Sequence, residues 1–209
     1  MTKKDTVVKM NYIEAPTYPE ISNKYTRVFL GGGITNCKDW QVDLTNHLKS
    51  YKCNVFNPRR KSFDITDPTV SEEQIRWEKY FLSESDIVIF YFSSETLCPI
   101  TLFELGARLS SNLYRDVEDR QSIYIYCEQN YARKFDVEFQ TKLFVDGFIK
   151  AKNTFYQLFS ETSDDCIVDH TNYFDSGYDV RCFDDYDKFV QTIQSQIEKL
   201  NTHEQYIRI

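Results

Sequence analysis

Residues 86 to 92, Asp-Ile-Val-Ile-Phe-Tyr-Phe, constrain the fold more than any other stretch of the chain. After Asp86 the run is apolar, β-branched and aromatic without a polar break. A strand with one wet face alternates apolar and polar residues. An unbroken run belongs to a strand covered on both faces, as in a parallel sheet. The flanking segments agree. TRVFLGGG (26–33) reads as a buried strand ending in a glycine turn, NVFNP (54–58) as a short strand stopped by Pro58, and SIYIY (122–126) as the next strand. Between them, residues 39–51 place Trp40, Leu44, Leu48 and Tyr51 at helical spacing. Residues 71–85 open with Ser71-x-x-Gln74, a capping-box pattern, and residues 99–113 open with Pro99 at a first helical position. Strands alternating with helices predict an α/β fold, a parallel sheet joined by right-handed crossovers with helices on both faces.

A chain of 209 residues can bury a core without disulfide staples. The expected organisation is an N-terminal arm over 1–24, one domain over 25–150, and an extension over 151–209. A segment DCIVDH in the extension has strand character, and an amphipathic helix over 184–200 closes it on the same domain. The net charge of −7 argues against a nucleic-acid polymer or an anionic membrane as partner, while leaving room for a small anion in a local basic pocket. The first residues lack an apolar signal-peptide core, and no stretch has the ~20 apolar residues of a membrane span, so a cytoplasmic location is expected. Cys37, Cys53, Cys98, Cys127, Cys166 and Cys182 form no C-x-x-C pair and have no His at zinc-ligand spacing. They are expected to be reduced and mostly buried.

Ligands of open parallel sheets bind beyond the carboxyl ends of the strands. That rule selects three loops: Gly31 to Asp39, Asn57 to Pro68, and Ser93 to Glu104. Gly31, Gly32 and Gly33 make up half of the six glycines in the chain. Such a triple lets backbone approach a ligand closely and leaves amides free. Its spacing is neither that of a dinucleotide fingerprint nor that of a Walker loop. Asn57, Arg59 and Arg60 flank Pro58; adjacent arginines suit a phosphate or carboxylate, or simply a solvated loop. Gln74, Trp77, Glu78 and Phe81 share one helical stripe. Either the stripe offers an amide, a ring and a carboxylate to the cleft, or Gln74 caps the helix, Trp77 and Phe81 are core, and Glu78 lies on the surface. Asp86 marks the start of a strand, or is paired there, since an unpaired charge beside so apolar a run is costly. Glu104 lies in CPITLFELG, between Phe103 and Leu105, with Gly106 thinning the wall behind it. It is an exposed helical carboxylate or a partly buried one of the kind that attacks an anomeric carbon.

VFLGGGITN followed by DWQ, then VFNPRR, QIRWE, SDIVIFYF and ETLCPITLFELG, occur in that order between about Arg27 and about Tyr126. Together they resemble the nucleoside 2-deoxyribosyltransferase-like family. The resemblance implies a flavodoxin-like, doubly wound parallel sheet and cleavage of the N-glycosidic bond of a nucleoside or nucleotide, with no cofactor and no metal. It implies that Glu104 attacks C1′ of the sugar and that Asp86 helps the base to leave or orients the sugar. Substrate-binding positions are expected at Gly31, Gly32, Gly33, Asp39 and Trp40 of the first loop, at Asn57, Arg59 and Arg60 of the second, and at Gln74, Trp77, Glu78 and Cys98. Relatives often carry an aspartate six residues before the nucleophile to hold sugar hydroxyls. This chain has Cys98 there, so Glu95 or Glu78 takes that part, or the substrate differs.

The expected course has the base stacked on Trp77 at the glycine loop and Glu104 attacking through an oxocarbenium-like transition state. The leaving base takes a proton from Asp86, Glu78 or water. The sugar then passes to a second base. The alternatives are a hydrolase on the same scaffold, including one acting on NAD-type nucleotides, a non-catalytic nucleotide sensor, and an interaction protein working through residues 150–209. Family members tend to oligomerise, so a homo-oligomer is expected.

Overall fold

The computed structural model describes residues 10–21, 24–61, 66–116, 119–146 and 179–207. Among these, six strands form one sheet: β1 (Met10–Glu14), β2 (Thr26–Gly32), β3 (Cys53–Asn57), β4 (Ile87–Phe92), β5 (Ser122–Cys127) and β6 (Val180–Phe183). Five helices cover it: α1 (Trp40–Leu48), α2 (Pro68–Glu84), α3 (Pro99–Asn112), α4 (134–146) and α5 (Tyr186–Ile207). The strand order is β1-β3-β2-β4-β5-β6, and every pairing is parallel. Without β1 the order is the flavodoxin-like 2-1-3-4-5 of a doubly wound sheet. β1, drawn from the segment expected as an arm, extends that sheet as an outer strand beside β3.

The apolar run after Asp86 is buried at every residue of β4. Val88, Phe90 and Phe92 join Phe29, Trp77, Phe81, Leu105 and Val137 in a core under α2, α3 and α4. Ile87, Ile89 and Tyr91 join Leu30, Trp40, Leu44, Phe189 and Ile193 in a second core under α1 and α5. Alternate side chains thus serve opposite faces, which is why no polar residue is tolerated in the run.

α2 begins earlier than its sequence pattern suggests. Asp67 caps it, accepting from Thr69 N at 2.8 Å, and Pro68 takes the first position. Ser71 therefore lies inside the helix, and the expected Ser71–Gln74 capping box is corrected: a stronger cap upstream frees Gln74 for another use. β6 and α4 had no expected counterpart. β6 is a short strand with exposed Arg181 and Cys182 and so lacks a buried apolar signature. The proposed strand at DCIVDH lies outside the described residues. Among the described residues no helix is long and apolar enough to cross a membrane.

Candidate active site

In this winding, β2 leads to one side of the sheet and β4 to the other, and the two strands lie side by side. Their carboxyl ends open a cleft of about 470 Å³ between the glycine loop, α2 and α3. This volume is within the range that takes a small organic ligand.

The floor is backbone. Gly31, Gly32 and Gly33 all line the cleft. A Cβ on Gly32 would stand 2.4 Å from Trp40 Cζ2 and 2.6 Å from Tyr91 O, and one on Gly33 would stand 2.9 Å from Cys98 Sγ. Glycine is required here by close approach. Trp40 braces the loop from the opposite face: it stacks on Tyr91 at 4.5 Å, and its Nε1 donates to Gly33 O at 2.9 Å. At 2% exposure it offers no surface to a ligand, so its expected contact with substrate is corrected to support of the loop. A second clamp lies further along. Glu128 Oε1 receives Lys38 Nζ and Tyr91 OH, each at 2.6 Å, while its Oε2 receives Ser94 N at 2.8 Å. Burial alone would raise this carboxyl, but these hydrogen bonds outweigh it and hold it down at about 2. Glu95 accepts from Lys38 N at 2.6 Å, tying the first loop to the third rather than facing the cleft.

The walls carry the ionisable side chains. From α2, Gln74 and Glu78 face the cleft one turn apart; from α3, Glu104 faces it from the second turn. Burial, and then the charge of Glu78, raise the Glu104 carboxyl to about 7, with Arg108 opposing. Burial likewise raises Glu78, against the Gln74 hydrogen bond and the Arg60 charge. Both carboxyls thus hold their protons more tightly than a free glutamate does, and the charge of Glu78 makes Glu104 harder to ionise. Cys98, 4% exposed, lines the cleft at the amino end of α3 with left-handed backbone (φ 47°), and burial keeps its thiol protonated. Gly106 does not thin the wall as expected: a Cβ there meets nothing within 4 Å.

Several expected positions lie elsewhere. Asp86 is at the amino end of β4, where its Oδ2 accepts from Arg27 N and its Oδ1 from Arg27 Nη2, both at 2.7 Å. The whole of β4 separates it from the cleft, roughly 20 Å at ~3.3 Å per residue. Its expected catalytic part is therefore corrected to that of a structural ion pair. Trp77 is wholly buried against Phe29 and Phe81, with its Nε1 donating to Thr17 O at 2.8 Å; no base can stack on it. Arg59 spends its guanidinium on Lys38 O, Cys37 O and Gln41 Oε1 and pairs with Asp39, which caps α1. Asn57 accepts from Arg59 N and donates to Tyr12 OH. Asp39, Asn57 and Arg59 border a separate groove of about 710 Å³ that contains neither Glu78 nor Glu104. Arg60 lies on the wall between the two and pairs with Glu73 at 3.0 Å. The cleft also has walls that motif reasoning missed, chiefly Ile34, Ile75, Thr96 and Ile100. Ile75 and Ile100 are 63% and 66% exposed, and large aliphatics on the outer side of a helix are the signal that was there to find.

The fold and this cleft define a doubly wound α/β protein with two carboxyls over its switch point. Residues 25–113 match the family model described as nucleoside 2-deoxyribosyltransferase like. Over that stretch, which opens just before β2 and ends just after α3, the chain resembles this family, and the match supports a related glycosyl-transfer role. No curated protein matches the chain.

Proposed function

We propose that the cleft transfers the sugar of a (deoxy)nucleoside or nucleotide by way of a glycosyl-enzyme. An oxygen of the Glu104 carboxylate attacks C1′ and forms an ester-type C–O bond as the C1′–N bond breaks. The bonding pair leaves with the base, and Glu78 supplies the proton to the departing nitrogen. Asp86 lies at the far end of β4, and the presence of Glu78 in the same cleft as Glu104 supports giving it that part. An incoming base then attacks C1′, returns the electron pair to Glu104, and gives its proton back to Glu78. The observation that carries the reading is the convergence of Glu78 and Glu104 on one cleft at the switch point, with burial raising both. Two carboxyls in one cleft supply a nucleophile and a second group for proton transfer.

The test is a chromatographic screen of nucleosides and nucleotides for base release and base exchange, with Glu104→Ala and Glu104→Gln beside the wild type. Both variants are expected to lower turnover by several orders of magnitude while keeping the fold. Undiminished base release by either one refutes the assignment. Exchange into a second base marks a transferase; release into water alone marks the hydrolase alternative. A sensor reading rests on Cys98, a poor partner for sugar hydroxyls, and predicts tight nucleotide binding without base release.

A homo-oligomer belongs to the same proposal. Leu97, Ile100 and Phe103 stand 58%, 66% and 76% exposed at the start of α3, a large apolar display for an isolated protomer. Sedimentation at micromolar concentration is expected to show an assembly that Phe103→Glu weakens; a monomeric wild type contradicts it.

A further inference from the structure

We infer that Gln74 selects the base: its side-chain carbonyl accepts a hydrogen bond from an exocyclic amino group. The inference rests on the proposed N-glycoside chemistry, since it takes a nucleobase as the occupant of the cleft.

Gln74 lines the cleft and is 6% exposed. Its amide has one sensible orientation. Nε2 donates to Pro58 O at 2.8 Å and to Glu78 Oε1 at 2.6 Å, and the Pro58 carbonyl can only accept. Both amide hydrogens are therefore used. Oε1 remains buried and, among the described residues, has no hydrogen-bond partner. Buried acceptors in native proteins are nearly always satisfied, so an orphan on a cleft wall marks where a ligand brings its donor.

The surroundings say what kind of donor. Phe29, Ile75, Pro99 and Ile100 make much of the remaining wall apolar, which suits the faces of a flat ring and leaves the ring edge to meet Gln74. An exocyclic amino group projects two hydrogens from that edge, and the ring-nitrogen lone pair beside it lies set back in the ring. A lactam edge sets a carbonyl oxygen beside its single N–H, and that oxygen would face the oxygens of Gln74 and Glu78. The cleft is thus matched to bases of the adenine and cytosine type over those of the hypoxanthine and uracil type. Sites that hydrogen-bond a polar substrate group discriminate strongly against analogues lacking it, because the protein group is left unpaired.

Calorimetric titration of the full-length protein with adenine, 6-methylpurine and hypoxanthine tests this. 6-Methylpurine keeps the ring and replaces the amino group with a methyl. Adenine is expected to bind at least about tenfold more tightly than either analogue. Gln74→Leu, with its melting curve checked, is expected to bring the three affinities within about twofold; Gln74→Met serves if the Leu variant does not fold. If either analogue binds wild type as tightly as adenine, the inference falls and the glycosyl-transfer reading stands. A full adenine preference surviving in the Gln74 variant also overturns it. If no base binds and none is released from any nucleoside, both readings fall together.

Discussion

Glu104 is charged only at a cost, and that cost has a pH signature. An ordinary glutamate titrates near 4.5; burial and the neighbouring Glu78 bring this one to about 7. Below pH 4.5 the carboxyl is protonated whether the chain is folded or not. Between 4.5 and about 7 the folded state binds more proton than the unfolded one, so rising pH lowers stability across that window and not above it. Glu104→Gln removes the titrating group. Thermal melts are expected to show the variant gaining most over wild type at pH 8 and gaining little at pH 4; an equal gain at both would contradict the buried setting. Activity has the opposite slope, because the nucleophile works as the carboxylate. Turnover is expected to rise through about pH 7 as Glu104 ionises. Glu128 behaves in the reverse sense. Its carboxyl, held down at about 2, contributes stability that is full above pH 4.5 and is lost as pH falls toward 2. Glu128→Gln is therefore expected to lower the melting temperature at pH 7 and to make little difference in strong acid.

The elements divide into those that aim the site and those that only support it. Glycines in them differ accordingly. Gly106 sits in α3 with open space where a Cβ would go, so Gly106→Ala is expected to stabilise by about 0.5–1 kcal/mol in denaturant titration. Gly32→Ala drives a methyl into Trp40 and the Tyr91 carbonyl and is expected to cost about 1–3 kcal/mol or more, with loss of activity as the loop shifts. Asp86→Asn loses the ion pair with Arg27 and is expected to cost about 1 kcal/mol while leaving turnover near wild type. Loss of turnover comparable to that of Glu104→Gln would restore Asp86 to the chemistry. The position of Asp86 was legible all along. A residue that opens a parallel strand lies at its amino end, and the rule that selected the three loops excludes it. Trp77 was not legible. The stripe from Gln74 to Phe81 spans roughly 10 Å of helix. Periodicity alone does not say that its first turn meets the cleft while the rest, apart from Glu78, enters the core.

At the scale of the whole molecule, the doubly wound sheet was readable because apolar runs, glycine turns and helical spacing repeat in register with one another. β6 is short and partly exposed, and β1 adds to the edge of a sheet whose order the other strands set; neither carries the double-faced burial that makes β4 unmistakable. Glu104 stood out in the sequence because a carboxylate in an apolar helix is anomalous, and it lines the cleft. Gln74 was found only as one member of a stripe, and its orphaned oxygen needed coordinates. The proposed glycosyl transfer depends on a bond between Glu104 and sugar carbon. Mass spectrometry of the protein quenched during turnover, then digested, tests it most directly. The expected result is one deoxyribosyl unit on the peptide that holds Glu104 and none in Glu104→Gln. Base release with that peptide unmodified, or with the sugar on another residue, would contradict it.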